Sequence, residues 1–348
     1  METGKKRIEW LDTLKGFAII AVVLGHAFVG YGYNQTFPRW NGMIEYLKNW
    51  IYLWHMPLFM LLSGYAFEMS TKQEDGTYAK YKVHKNMLNF VLLYLLFQSI
   101  LGMLKILFSS FVDVPMQWSI LLPEIMFPNT VLWYLWVLVI YYGIFPIFSK
   151  YIKSEILIAI LFVGSIAICK LGESINVGLC VKNLFYCAPF FYSGMRLYYP
   201  SSSLQIYNNR RNWTIYGALL IVFSVIYQRM FYEKVLVEIR AICELVAAYI
   251  VIGLLIKLFQ KEAVICKTGL LQRLGQASLV IYLLHTYIVT AIKVFVTRMG
   301  FQGILFWIPV TVVVAIAIPY VIFVLSKKIK IIQYIFKPIL LLDDMRKK

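Results

Sequence analysis

An apolar run near the start of the chain carries three ionisable side chains that could do chemistry, namely Asp12, Lys15 and His26. A helix rises ~1.5 Å per residue, so the eleven residues from Lys15 to His26 span roughly 16 Å, about half of a ~30 Å hydrocarbon layer. An ionisable group at that depth is costly and by default marks a functional site. His26 is therefore the candidate functional residue. The alternative is a neutral imidazole that only hydrogen-bonds between helices.

The group that orients the His26 ring must come from another helix. Asp12 is fourteen residues away, which corresponds to ~21 Å of helix. Glu244 is a candidate, because Arg240 and Glu244 stand four residues apart, a spacing that suits a paired intramembrane charge. The same pair could equally be a structural ion pair.

The other polar candidates differ in their predicted depth. His55 comes early in the second predicted helix, near the outer face, and His285 lies within a late helix. His84 falls in a basic loop, where solvation is the expected state. Ser63 and Gly64 would let a helix or a ligand approach closely, and helix packing is a simpler role for Ser63 than catalysis.

The elements that must position these residues are membrane helices. The 348-residue chain is 61% hydrophobic and 15% charged, whereas soluble domains are about 45–50% apolar and about 25% charged. Counting apolar runs of about 20 residues predicts an all-α, polytopic fold of ten transmembrane helices. The predicted spans are 13–33, 50–69, 87–111, 131–149, 155–170, 178–199, 213–231, 236–258, 276–297 and 303–326.

The distribution of cations predicts the orientation of these helices. Lys and Arg concentrate in alternate loops, the pattern of the positive-inside rule, which places both termini in the cytoplasm. Residues 113–130, which hold no cation, form a predicted outside loop. Residues 327–348 predict an amphipathic tail at the cytoplasmic interface of a single integral-membrane domain, 1–348. The same distribution argues against a nucleic-acid-binding module despite the net charge of +17.

The five cysteines are scattered and form no CxxC or Cys/His cluster, so neither disulfides nor a metal site is predicted. A tightly bound cofactor is not expected either. The sequence does not indicate an oligomeric state.

Five segments, in order, resemble the membrane-bound acyltransferase 3 family. They are RIEWLDTLKGFAIIAVVLGHAF, PLFMLLSGYAF, VLWYLWVLVIYY, APFFYSGMRL and LGQASLVIYLLHTYI, running from Arg7 to about Ile288. Lys15 departs from the family, where Arg is commoner, since a Lys is a point charge without the planar fork. The extracellular hydrolase-like domain that some members carry at the C-terminus is also not expected here.

The resemblance implies acyl transfer, by default acetyl, from cytoplasmic acetyl-CoA or another acyl-CoA to a hydroxyl of a cell-surface or carrier-linked sugar, in the plasma (inner) membrane. It implies His26 as the catalytic residue, acting as general base or as acyl acceptor. The alternative is a proton-coupled exporter or flippase of glycolipids or oligosaccharides, and a catalytically silent scaffold is a third interpretation.

The donor's coenzyme A head group is polyanionic and must stay at the cytoplasmic face. The cations expected there are Lys15, Lys82, Lys85, Arg210 and Arg211, although the two loop pairs could merely set topology and contact anionic lipid. With these, the residues expected to contact donor or substrate are Asp12, Ser63, Arg240, Glu244, Tyr282 and His285.

Overall fold

The computed structural model of the protein describes residues 8–33, 36–112, 115–175, 177–199, 236–260, 269–301 and 303–346, with isolated positions between 218 and 229. Within these ranges the regular elements are helices, and the β-type pairing consists of one isolated bridge between Lys72 and Tyr78. The predicted all-α fold class is therefore confirmed.

We number the α-helices in chain order. They are α1 Glu9–Tyr33, α2 Asn41–Thr71, α3 Lys80–Leu107, α4 Trp118–Met126, α5 Trp133–Tyr151, α6 Ser154–Ser174, α7 Leu179–Leu197, α8 Val237–Gln260, α9 Gly269–Gln276, α10 Ser278–Arg298, α11 Ile304–Ser326, α12 Lys330–Phe336 and α13 Pro338–Arg346. A short 3-10 helix, Pro38–Trp40, precedes α2.

Seven of the described helices are long and apolar enough to cross a membrane, namely α1, α3, α5, α6, α8, α10 and α11. Helices α2 and α7 lie at two further predicted spans, but their tyrosines and charged residues lower their mean hydropathy. The predicted span 213–231 falls almost wholly outside the described residues. The protein is thus a multi-pass membrane protein, while the count of ten and the orientation of the termini stay predictions.

The chain divides into two compact units, 1–62 with 203–232 and 244–323, and 63–202 with 233–243 and 324–348. In the first unit α1 packs against α9 and α10. A Cβ on Gly16 would overlap the Leu271 carbonyl, and one on Gly275 would overlap the carbonyl of Asp12. These two glycines therefore let the backbones of α1 and α9 touch, as small residues do at helix interfaces in membranes.

The second unit is built on the packing of α3 with α5 and of α7 with α5 and α6. Its core is aromatic, with Phe191 stacked on Phe145 and tilted against Phe67 and Tyr141. Such ring pairs contribute about 0.5–1.5 kcal/mol each beyond the area that they bury.

Two short helical segments of the second unit pack on α3. The predicted outside loop contains the unpredicted helix α4, whose end is tied to α3 where Tyr94 donates to the Ile125 carbonyl and Gln98 to the Glu124 carbonyl. The amphipathic tail forms α12 and α13, and Lys85 of α3 makes a 2.7 Å ion pair with Asp343. In both cases polar side chains of α3 bind the short helix that packs on it.

Gly64 gives a direct test of close helix packing in the second unit. A Cβ there would overlap the Phe191 carbonyl, so Gly64→Ala must push α2 from α7, and we expect a loss of about 1–3 kcal/mol in the free energy of unfolding. Gly172→Ala in α6 is the matched control, because no atom lies within 4 Å of its added Cβ. Thermal unfolding in detergent should show a lower Tm for the first variant only, and equal Tm values would contradict this packing.

Candidate active site

His26 of α1 lies among aromatic side chains from two other helices of the first unit. Its Nδ1 is 3.4 Å from the hydroxyl oxygen of Tyr52 on α2. Its ring centroid lies 5.1 Å from that of His285 on α10. Tyr52 in turn packs edge-on against His55, with ring centroids 4.7 Å apart. Three histidines and a tyrosine, from three helices that are far apart in sequence, thus meet around one point.

Hydrogen bonds to backbone carbonyls determine the tautomers of His55 and His285. His55 Nδ1 is 2.7 Å from the Ile51 carbonyl oxygen, and His285 Nδ1 is 2.8 Å from that of Tyr282 and 3.0 Å from that of Ile281. A carbonyl oxygen only accepts, so Nδ1 carries the proton in each ring. In the neutral imidazole, Nε2 then keeps its lone pair.

The Nε2 atom of His285 is the unusual feature of the cluster. It is buried and has no hydrogen-bond partner among the described residues, while the whole residue is 0% exposed. His84 makes the same kind of Nδ1 bond to a carbonyl four residues back, yet it is exposed, so this bond alone marks no site. A buried acceptor left unpaired costs about 1–3 kcal/mol, and such groups in native proteins often serve ligands or catalysis.

A glycine on α1 makes room for the Tyr52 ring beside His26. A Cβ on Gly25 would lie 3.1 Å from the Tyr52 ring and 3.2 Å from the Ile51 side chain, tighter than ordinary contact. A larger residue at position 25 would therefore move Tyr52 away from His26. Nearer the start of α1, Phe17 stacks on Trp54 of α2, with ring centroids 5.8 Å apart.

The prediction that His55 comes early in its helix is wrong, while its position near the outer face stays a prediction. The sequence placed it early in the second helix, near the outer face, because the apolar run begins at about residue 50. The helix in fact begins at Asn41, which puts His55 near its middle, buried to 1% exposure. The polar segment 41–49 continues the helix instead of forming a loop.

Accessibility separates the three rings. His26 is partly exposed, whereas His55 and His285 are buried. His26 is thus the most accessible of the three imidazoles, and Tyr52 and His285 are its ring neighbours. Chemically the arrangement can bind a hydroxyl group, remove its proton and return that proton to a leaving group.

Asp12 and Lys15 lie in the first two turns of α1, and both are partly buried. One carboxylate oxygen of Asp12 is buried without a hydrogen-bond partner among the described residues. Because α1 is continuous from Glu9 to Tyr33, Asp12 remains a helix length of ~21 Å from His26. Asp12 therefore does not orient the imidazole.

The remaining predicted residues lie in several places. Tyr282 is buried with its ring centroid 6.1 Å from that of His285, so it belongs to the cluster. Ser63, in the second unit, is hydrogen-bonded to the Tyr134 hydroxyl at 2.6 Å, which favours its packing role. Arg240 and Glu244 are both half-buried on α8, and their pairing stays a prediction.

The predicted donor contacts are only partly described. Lys85 is paired with Asp343 of the tail, and Lys82 is exposed near the start of α3. Arg210 and Arg211 lie outside the described residues. The structure therefore does not test whether any of these four cations meets the donor.

Tyr52 is the residue that the sequence analysis missed. A weak signal was present, because Tyr52 precedes His55 by three residues and so shares its helix face. For metal binding, the described part of the chain holds no group of three or more His, Cys, Asp and Glu side chains that could hold an ion.

Comparisons with known proteins bear on most of the chain. A family model described as an acyltransferase domain matches residues 8–324. Nodulation protein NolL from Sinorhizobium fredii (strain NBRC 101917 / NGR234) is 48% identical over 54 residues. Those residues cover 16% of this chain and only 14% of that protein. No solved structure matches the chain.

Proposed function

The chain belongs to the membrane-bound acyltransferase 3 family, and from this premise we propose that it transfers an acyl group from acyl-CoA to a sugar hydroxyl. The acceptor is a cell-surface or carrier-linked sugar, and acetyl is the acyl group that the family suggests first. The site of action is the plasma membrane. The observation that carries the proposal is the meeting of His26 with Tyr52 and His285 inside the first unit.

In the proposed reaction His26 is the general base. The sugar hydroxyl is a poor nucleophile, so His26 takes its proton as the oxygen attacks the thioester carbonyl. The carbon–sulfur bond then breaks, and the imidazolium returns the proton to the leaving thiolate, which gives free coenzyme A. A general base must lie within hydrogen-bond distance of the hydroxyl whose proton it removes. The His26 ring is partly exposed, so a sugar hydroxyl has room to approach it.

Tyr52 and His285 position the base in this scheme. A neutral His26 that donates from Nδ1 to the Tyr52 hydroxyl keeps the Nε2 lone pair for the substrate. We place a second hydroxyl of the sugar at the unpaired Nε2 of His285; because protein covers this atom in the structure, the contact requires the substrate to displace the side chains over it. A buried acceptor that is satisfied only by substrate also favours polyhydroxylated acceptors over apolar ones.

A covalent route uses the same residues. His26 itself attacks the thioester carbonyl, the carbon–sulfur bond breaks and coenzyme A leaves as its thiolate. The acyl-imidazole then passes the acyl group to the sugar oxygen, and the proton lost by that hydroxyl ends on the thiolate to give free coenzyme A. The two routes differ in one measurable species. An acyl group on His26 accumulates without acceptor only in the covalent route, where mass spectrometry of the protein would detect it.

The proposal is tested with isolated membranes that contain the protein and receive radiolabelled acetyl-CoA. Label should enter glycan or glycolipid in amounts that depend on the protein, and glycan NMR of cells with and without the gene should then identify the modified hydroxyl. Membranes that move labelled glycolipid across the bilayer but incorporate no acetyl would instead support the exporter alternative. The family match weighs against that result.

A further inference from the structure

A cavity of about 370 Å³ in the second unit has a strongly cationic lining. Its cations are Lys72, Lys150, Lys153 and Arg196, against a single carboxylate, that of Glu68. They come from the ends of α2, α5, α6 and α7, at loops that the positive-inside pattern predicts to be cytoplasmic. None of these residues was singled out from the sequence as a ligand contact.

The carboxylate of Glu68 is already saturated by protein groups at the floor of the cavity. Glu68 is 2% exposed, and it accepts hydrogen bonds from the Tyr78 hydroxyl at 2.9 Å and the Tyr199 hydroxyl at 2.5 Å. Burial and the adjacent Glu68 carboxylate raise the pKa of Tyr78, so this phenol stays protonated and donates. Lys72 lies 3.7 Å from the same carboxylate. The negative charge of Glu68 is therefore enclosed. The other three cations have no carboxylate within the lining itself, and the exposed Glu155 carboxylate just outside it interacts with two of them, Lys153 and Arg196.

Those three cations belong to the exposed part of the lining, which we call the opening. Lys150, Lys153 and Arg196 are all exposed, and their neighbours Tyr151 and Tyr199 present aromatic rings to the lining. The Arg196 guanidinium lies 5.7 Å from the Tyr199 ring centroid, and Lys150 Nζ lies 5.2 Å from that of Tyr151. The opening thus combines positive charge with flat aromatic surface.

The first residue of α6 also lines the cavity. Ser154 begins a helix of 21 residues, whose first-turn N–H groups have no partner within the helix. A helix N-terminus favours anions, and here it stands beside the cation cluster. Glu155, whose carboxylate accepts from the Ser154 hydroxyl, is exposed next to the cavity.

We propose that this cavity binds the phosphate groups at the nucleotide end of the acyl-CoA donor, an inference that rests on the proposed function. Its volume lies at the lower end of the 300–1,000 Å³ range of ligand pockets, which suits a phosphorylated nucleoside better than a whole coenzyme. The cations pair with the 3′-phosphate and the pyrophosphate, and the tyrosine rings stack on the adenine. The long pantetheine arm leaves the thioester free to react elsewhere.

Anionic lipid head groups share the phosphate chemistry, so the experiment separates the two sources. The protein is purified into nanodiscs of zwitterionic lipid, and binding of radiolabelled coenzyme A is measured by equilibrium dialysis, with 3′-dephospho-coenzyme A as competitor. Wild-type protein should bind coenzyme A more tightly than the dephosphorylated form. The double variant Lys153→Glu/Arg196→Glu should weaken coenzyme A binding at least about tenfold, because two cations that pair with the phosphates become negative charges that repel them.

Lys328→Glu is the matched control, since it reverses an exposed cation outside the cavity, in the turn between α11 and α12. Equal weakening in this control, or unchanged binding in the double variant, would overturn the proposal. A third result would also overturn the proposal: wild-type protein that binds no coenzyme A but carries co-purified phosphatidylglycerol, detected by mass spectrometry, which the double variant has lost. That result would assign the cavity to anionic lipid. Lys153→Arg, which keeps the charge, should retain binding and rules out misfolding at this position.

The binding assay needs no acyl acceptor, so it can refute this binding site without refuting the proposed reaction, and the reverse. A protein that transfers acetyl normally but binds coenzyme A unchanged after both charge reversals would refute this site and leave the reaction standing. A protein that binds coenzyme A through these residues but transfers no acyl group would keep the site and refute the proposed reaction.

Discussion

Replacing His26 with alanine should reduce acyl transfer about 10²–10⁴-fold while the protein stays folded and inserted, because a positioned general base contributes that much. His26 is partly exposed on α1, so the loss of its imidazole leaves no deeply buried cavity, and stability should change little. The measurement is the initial rate of label transfer from acetyl-CoA at matched protein amounts in the membrane.

His84→Ala serves as the control for His26→Ala. His84 makes the same type of side-chain bond to its own helix but is exposed near the start of α3, so its loss should leave the rate unchanged. A His26→Ala enzyme with wild-type turnover would refute both the base and the acyl-imidazole routes, since each needs the imidazole.

Replacing His285 with asparagine should lower kcat about 10²-fold, the order expected when a reacting group is misplaced by about 1 Å. The asparagine amide can still donate to the Ile281 or Tyr282 carbonyl, but it carries no acceptor where Nε2 now lies. His285→Gln extends an amide oxygen towards that position, so it should recover part of the rate.

The ranking of these two variants separates a positioning role from a structural one. If His285 only fills space, both amides should unfold at similar temperatures and show similar rates. If its Nε2 accepts from the substrate, the glutamine variant should be faster at equal stability, with the difference in kcat more than in the KM for acyl-CoA. A glutamine variant no faster than the asparagine variant would contradict the role proposed for Nε2.

Much of the architecture follows from local sequence. Runs of about 20 apolar residues must form helices in a bilayer, because only internal hydrogen bonding satisfies the backbone there. The predicted spans 13–33, 131–149 and 303–326 accordingly correspond to α1, α5 and α11. The distance of His26 from Lys15 along α1 was predictable for the same reason, since position along a straight helix depends only on residue count. The depth of His26 in the membrane stays a prediction.

Helix ends outside apolar runs were predicted less well. α2 begins nine residues before its predicted span, and α4 lies in a segment expected to be a loop. The segment expected to be an amphipathic tail holds two separate helices, α12 and α13, whose bounds were not predicted. These segments mix polar and apolar residues. Their conformation depends on partners such as Gln98 and Lys85 on α3, which hydropathy does not reveal.

What the sequence by itself determined is therefore the helical class, most of the helix positions, the candidate histidine His26 and the family to which the five motifs pointed. Only the tertiary structure decided which side chains meet it: Tyr52 and His285 reach His26 from 26 and 259 residues away. It also gathered Lys72, Lys150, Lys153 and Arg196 around one cavity. The physical reason is that lipid solvates every apolar helix face almost equally, so neighbours are selected by close contacts such as those at Gly16, Gly25 and Gly64. Those contacts depend on the shapes of two helices together, which neither segment of sequence specifies alone.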